Sequence, residues 1–288
     1  MTDLTVTTNT NLAEGVTTNY IPAKNMNPFF DVARCPLSTT FNGQPKDVAR
    51  DALFSPNGDL LGVVSPKYNL VENKDVKAVF DEFFSSLNVY SVTDKVSGNG
   101  GKWLREYVLN EDKYTVHISD KKEEIAMKVT IGNGYDGKTS VFMNFSAWRQ
   151  VCSNGMMGWK KMIGRKFNHF TNDILDHLKN EIDKGFNGMS NNFETWEKWS
   201  KEKFTKNQFE GFVNSREYLS DKQKNVTNGL YIPVMNKFNE EETKWGAYNV
   251  LTAIATHHTQ SRNKNVANDF SNGFRVMNRV TRDFYEYV

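Results

Sequence analysis

The chain has 288 residues, 38% of them hydrophobic, 13% aromatic and 24% charged, which is material for one large domain or two modest ones. Its formal net charge of +2 is too small to mark a nucleic-acid binder by bulk electrostatics, so such a role would rest on local basic clusters. Two cysteines, Cys35 and Cys152, with no Cys-x-x-Cys pair, exclude a disulfide framework and a Cys-rich zinc site, and no apolar run is as long as a membrane span.

Residues 1–25, rich in Thr and Asn, read as a flexible N-terminal arm. A β-rich region is expected over 26–158. It opens with Pro56-Asn57-Gly58 between short apolar runs, the composition of a β-hairpin. A helix follows, with Val76, Val79, Phe80, Phe83 and Phe84 on one face and Asn73 placed to cap its start. Residues 89–155 alternate apolar and polar side chains between turn signals, the pattern of meandering antiparallel strands. After Gly158 the period changes to that of a helix. Phe170, Ile174, Leu178 and Ile182 fall four apart. Trp196, Trp199, Phe204 and Phe212, then Trp245, Tyr248, Leu251 and Ala255, then Phe270, Phe274, Met277 and Phe284 mark further helical segments. Region 159–288 is therefore expected to be helical and packed on the strands as one compact α+β domain: an antiparallel β-sheet with one early packed helix, followed by a helical C-terminal half.

Gly132, Gly134 and Gly137 match the spacing of a dinucleotide-binding turn. That chemistry needs a helix after the glycines, so that its N-terminus holds the pyrophosphate. Here Val141, Met143 and Phe145 alternate with Phe142, Asn144 and Ser146, which predicts strand, turn, strand. Gly134 and Gly137 are expected to supply positive φ values in that turn. No cofactor is expected.

Several stretches resemble the phage/plasmid-like family catalogued as domain of unknown function 932. They are Leu61, Gly62, Val64, Tyr68, Val71 and Asn73; then Asn133, Tyr135, Asp136 and Gly137; then Arg149, Cys152, Asn154 and Gly155; then His169; and Thr256 and His257 near the end. The resemblance spans about residues 50–265. It implies a setting in phage or plasmid replication, recombination or interference with host defence, with no settled activity; the two distant cysteines fit a reducing cytoplasm, that of the host cell if the chain is phage-encoded. Where that family has a Ser beside the Asp-Gly turn, this chain has Gly134.

Three functional readings follow. Lys160, Lys161, Arg165 and Lys166 are flanked by Trp159 and Phe167 within one short stretch, with Gly158 and Gly164 loosening the backbone. Arg275, Arg279 and Arg282 lie four and three apart on the last helix. Cations for phosphates interleaved with rings for bases suit single-stranded nucleic acid, and the leading expectation is a non-enzymatic binder of single-stranded DNA. The alternative is a Cys/His hydrolase-type site among Asp136, Cys152, His169 and His257. A metal version of that reading draws on His169, Asp173 and His177, four apart in sequence. Each of these residues also has a plain structural role open to it: Asp136 in its own turn, Cys152 in a core, His169 at a helix start. The third reading is an interaction module that blocks a host factor through exposed Trp and Phe of 193–212. A homo-oligomer is compatible with all three.

Overall fold

The computed structural model describes residues 17–21, 27–118, 123–149, 163–255 and 272–288. In chain order the strands are β1 (Thr17–Ile21), β2 (Ala33–Phe41), β3 (Gln44–Phe54) and β4 (Leu60–Val64). Helix α1 (Asn73–Phe84) comes next, then β5 (Val89–Ser97), β6 (Lys102–Leu109), β7 (Thr115–Ile118), β8 (Glu123–Gly134), β9 (Val141–Arg149) and β10 (Ile163–Phe167). The helices α2 (Ile174–Lys201), α3 (Lys206–Asn214), α4 (Asp221–Gly229), α5 (Tyr231–Phe238), α6 (Lys244–Ala253) and α7 (Asn272–Tyr287) complete it. The fold is α+β, with helices mainly in the C-terminal half.

Among the described residues one sheet has the order β1-β5-β6-β8-β9-β10, with β7 also paired to β8, and a second has the order β2-β3-β4. The pairings β5–β6, β6–β8 and β2–β3 are antiparallel, whereas β1 lies parallel to β5. Part of the stretch expected as an arm is thus a strand. The chain groups into two compact units. One is drawn from Met1–Glu111, Met127–Phe145 and Gly164–Asn187, the other from Asp112–Ala126, Ser146–Ile163 and Gly188–Val288. The texture change near residue 158 is not where the units divide.

In the first unit, α1 lies on the larger sheet because its apolar face repeats at helical spacing: Val76, Val79, Phe80 and Phe84 are buried. Phe84 stacks on Tyr107 of β6 at 4.2 Å between ring centroids, and Phe186 of α2 meets Phe83 at 5.1 Å and Phe145 of β9 at 5.2 Å. Each fully buried Phe contributes roughly 2–3 kcal/mol over an exposed one. The expected cap is absent. Glu72 is the N-cap residue and makes no side-chain capping bond, and Asn73 is the first helical residue, buried and engaged elsewhere. Phe170, expected on the face of the following helix, instead precedes α2 and is 61% exposed.

β2 and β3 form a ribbon. They join through Asn42 and Gly43, both at positive φ (50° and 75°), as a two-residue hairpin turn requires. All of β2 except Leu37 is exposed, and so are Gln44 to Arg50 of β3. β4 pairs only with Asp51 to Phe54, so among the described residues the part of the ribbon from Leu37 to Val48 has two strands and no third.

The second unit is an aromatic core wrapped by short helices. Trp196 and Trp245 approach to 5.3 Å, Trp199 and Tyr285 to 4.6 Å, and Phe212 and Phe284 to 5.0 Å. α3 and α4 each start with a reciprocal capping box, Thr205 with Gln208 and Ser220 with Gln223. Trp196, Trp199, Phe204, Phe209 and Phe212 are buried, so the rings expected to be exposed for a host factor are core. Trp245, Tyr248, Leu251, Ala255 and Phe284 are buried as their spacing predicts.

Candidate functional site

β8 ends at Gly134 and β9 begins at Val141, so the three glycines belong to a hairpin with no helix after it. Of the two glycines expected at positive φ, only Gly137 (72°) has it. Gly132 and Gly134 are needed for space. A Cβ on Gly132 would meet the Phe142 ring at 2.5 Å, and one on Gly134 would meet Thr139 at 2.6 Å. Gly62 on β4 approaches the same turn from outside, its absent Cβ leaving room for the Tyr135 carbonyl.

This turn is the centre of a polar cluster in the first unit. Asp136 Oδ1 accepts from the backbone of Lys138 (3.0 Å) and Thr139 (2.7 Å), Oδ2 accepts from the Thr139 hydroxyl (3.2 Å), and Lys102 pairs with it at 2.7 Å. Burial pushes the Asp136 carboxyl up, but Lys102 and these donors outweigh it and hold the carboxyl at about 2. Behind it, Tyr68 stacks on His169 at 4.3 Å and 17°, and its hydroxyl donates to the Gly134 carbonyl at 3.1 Å. His169 is 4% exposed. Its Nδ1 lies 2.9 Å from the Asn69 carbonyl, and Nε2 has no hydrogen-bond partner among the described residues. Burial lowers the basicity of the ring, opposed by the carbonyls of Asn69, Thr139 and Gly134 and by the Asp136 carboxylate.

Two asparagines tie the turn to α1. Asn133 donates to the Val71 carbonyl (2.7 Å) and to Asn73 Oδ1 (3.0 Å) while accepting from Gly134 N (2.8 Å). Asn73 donates from its side chain to Pro28 and from its backbone to the Tyr135 hydroxyl at 2.7 Å. Asp136 therefore has the turn-holding role open to it from sequence. His169, by contrast, does not cap a helix but packs on Tyr68 and bonds to the Asn69 backbone.

The metal geometry does not form. α2 begins at Ile174, so His169 and Asp173 stand before the helix and the spacing of four does not stack them with His177. His177 is exposed and lies against Phe167 at 5.8 Å, and Asp173 sits at φ 51°. Among the described residues no three His, Cys, Asp or Glu side chains gather as ligands. Cys152, Asn154 and His257 lie outside the described residues, as does the side chain of Arg149.

Of the first basic cluster, Trp159, Lys160 and Lys161 lie outside the described residues. Arg165 and Lys166 are exposed on β10, a strand inside the region expected to be helical, and Arg165 pairs with Glu181 at 2.6 Å. Gly164 does not loosen this segment but lets it press against β9, where a Cβ would lie 2.2 Å from Asn144 Oδ1. Phe167 is half-buried.

The second basic cluster, in the second unit, gains a partner surface that its spacing did not reveal. Arg279 lies 3.9 Å over the Tyr218 ring, and Arg216 lies 4.6 Å over Phe212. Asp283 accepts from the Tyr218 hydroxyl at 2.7 Å and draws in Arg282 (3.3 Å) and Arg216 (3.9 Å). Tyr287, 56% exposed, meets Phe212 at 5.2 Å. The side chain of Arg275 lies outside the described residues.

One further network escaped the sequence reading. Arg105 (5% exposed) makes a two-pronged pair with Asp94 at 2.8 and 2.7 Å and reaches Asp81 at 3.2 Å. Trp103 Nε1 donates to Asp94 and the Tyr107 hydroxyl to Asp81. The one signal in the sequence was Asp94 standing where Val92 and Val96 alternate inward.

A family model described as Domain of unknown function (DUF932) matches residues 60–274, a span that holds the polar cluster and most of the helical unit. No curated protein and no solved structure matches the chain.

Proposed function

We propose, for a chain that belongs to the family described as Domain of unknown function (DUF932), a non-enzymatic role in binding single-stranded nucleic acid. The observation that carries it is the stack of Arg279 on Tyr218, 3.9 Å apart, with Arg282 half exposed beside it. A guanidinium lying on a ring presents a flat cationic face on which a base can stack, and neighbouring arginines neutralise phosphates. Asp283 holds Tyr218 and two arginines in place, so little side-chain entropy remains to be lost on binding. The exposed Arg165 and Lys166 of β10 add cationic surface to the first unit. The resemblance noted from sequence supports a phage or plasmid setting, with replication or recombination as the process and the host cytoplasm as the place.

The test is fluorescence anisotropy of a labelled single-stranded oligonucleotide at two salt concentrations. Arg279→Ala/Arg282→Ala is expected to weaken binding at least roughly tenfold at low salt. Neutralising Lys160, Lys161, Arg165 and Lys166 together tests the other cluster. Wild-type protein that fails to bind at low salt would end the proposal.

A second reading, the Cys/His hydrolase, has one observation in its favour: buried His169, whose Nε2 has no hydrogen-bond partner among the described residues and whose basicity burial lowers, the direction that favours the neutral ring a general base needs. Its requirement is an activated Cys152. Alkylation rates in a Cys35→Ser background decide it: a midpoint near the ordinary thiol value of about 8.5 excludes the pair, and one well below supports it.

A further inference from the structure

We infer that the β2–β3 ribbon is a dimerisation arm, and that its occupant is the same ribbon of a second copy of this chain, paired antiparallel through β2. The inference is independent of nucleic-acid binding.

The distal ribbon is an isolated two-stranded hairpin with both faces exposed, an arrangement that is marginal in water unless further strands or a packed face support it. Its register places Leu37 opposite Val48, Thr39 opposite Lys46 and Phe41 opposite Gln44. Those six side chains share one face, on which Phe41 is 63% and Val48 39% exposed. Ser38, Thr40, Pro45 and Asp47 share the other face.

The two edges differ. The outer edge of β3 carries Pro45, Lys46, Asp47 and Arg50, the prolines and charges that protect a strand from adding another. The outer edge of β2 reads Cys35-Pro36-Leu37-Ser38-Thr39-Thr40-Phe41. From Leu37 to Phe41 it has neither proline nor charge, and Arg34 near the start of the strand is paired with Asp51 of β3. Among the described residues no strand pairs with it. One edge is closed and the other is open.

The open edge fits itself. In a hairpin closed by two residues, Phe41 and Gln44 exchange their backbone bonds inward, and the alternation then turns the N–H and C=O of Thr40 and Ser38 outward. Two copies centred on Thr39 would set Ser38 of one against Thr40 of the other, each pair with its backbone groups facing. Leu37 of one then lies beside Phe41 of the other, twice. The faces that carry Leu37, Phe41 and Val48, with Lys46 over the Phe41 ring at 5.7 Å, come to the same side of a four-stranded sheet, and only uncharged side chains oppose each other across the new seam. A chain of unlike charge pattern would gain nothing from this neutrality, which is why a second copy is the occupant.

The experiment uses the full chain in light scattering coupled to size exclusion. Wild type is expected at twice the chain mass. Thr40→Pro removes only an outward N–H, at a position that already faces Pro45 across the ribbon, and is expected to give monomer with an unchanged circular dichroism spectrum. Should that variant misfold, Ser38→Lys/Thr40→Lys replaces it. This pair alone is expected to be monomeric, and mixing it with Ser38→Glu/Thr40→Glu is expected to restore the dimer. Monomeric wild type overturns the inference, as does a dimer that survives both variants. If wild type is monomeric and the ribbon variants instead lose oligonucleotide affinity, the ribbon is a nucleic-acid contact and the dimer arm is wrong.

Discussion

Asn133 holds three segments with one amide, donating to Val71 and Asn73 and accepting from Gly134 while fully buried. Replacing it by Ala leaves a carbonyl, an amide oxygen and an N–H without partners in a closed interior. Asn133→Ala is expected to cost about 3 kcal/mol in urea denaturation, whereas Thr39→Ala on the exposed ribbon is expected to change stability by less than about 0.5 kcal/mol. Arg105 is a harsher case. Arg105→Met leaves the buried Asp94 carboxylate with the Trp103 N–H and no cation, while Asp81 keeps Lys77 and Tyr107, for an expected loss of about 3–5 kcal/mol. The titrating groups of the hairpin act in separate windows. Because burial sets His169 below its ordinary value of about 6.5, the unfolded chain takes up its proton first. The stability tied to neutral His169 is therefore intact above about pH 6.5 and drains away as pH falls through the folded value. The urea midpoint of wild type should drop below that pH more steeply than that of His169→Gln. Asp136 follows at lower pH: its contribution is intact above its unfolded value of about 3.9 and is lost as pH falls to about 2. Asp136→Asn should flatten that acid limb.

At the scale of elements, two glycines inside helices make opposite predictions. Gly211 in α3 has nothing within 4 Å of where a Cβ would stand, while a Cβ on Gly185 in α2 would lie 2.0 Å from the Phe145 ring. Helix propensity favours Ala at both by up to about 1 kcal/mol. Gly211→Ala should raise the melting temperature, and Gly185→Ala should lower it because the collision outweighs the propensity. The same contrast explains what could be read from sequence. Val76, Phe80 and Phe84, or Ile174, Leu178 and Ile182, announce their helices because one face is buried and the period records it. The hairpin at Gly137 was legible because Asp-Gly turns have their own chemistry. The β2–β3 ribbon was not, since a strand exposed on both faces has no alternation to detect. Whether Asn73 caps a helix or is buried by Asn133 depends on a residue 60 positions away. Tyr218 and Arg279 meet only in space, and no spacing encodes it.

For the molecule as a whole, a net charge of +2 means that attraction to a polyanion must come from placed arginines and not from the total. Binding to single strands should weaken with salt. Removing Arg279 and Arg282 should reduce the slope of log affinity against log salt by about 1.4, or about 0.7 for each phosphate that is no longer neutralised. Lys198→Ala/Lys201→Ala, which removes two cations already paired with Glu202 and Glu197, should leave the slope unchanged. The two compact units have a different consequence. Each is assembled from three separate stretches of chain, and the stretches of one alternate with those of the other. No single cut separates the units: a fragment ending at residue 158 lacks Gly164–Asn187 of the first, and one starting there lacks Asp112–Ala126 of the second. An exchange that splits this chain near residue 158 and joins one half to a foreign half therefore breaks both units at once.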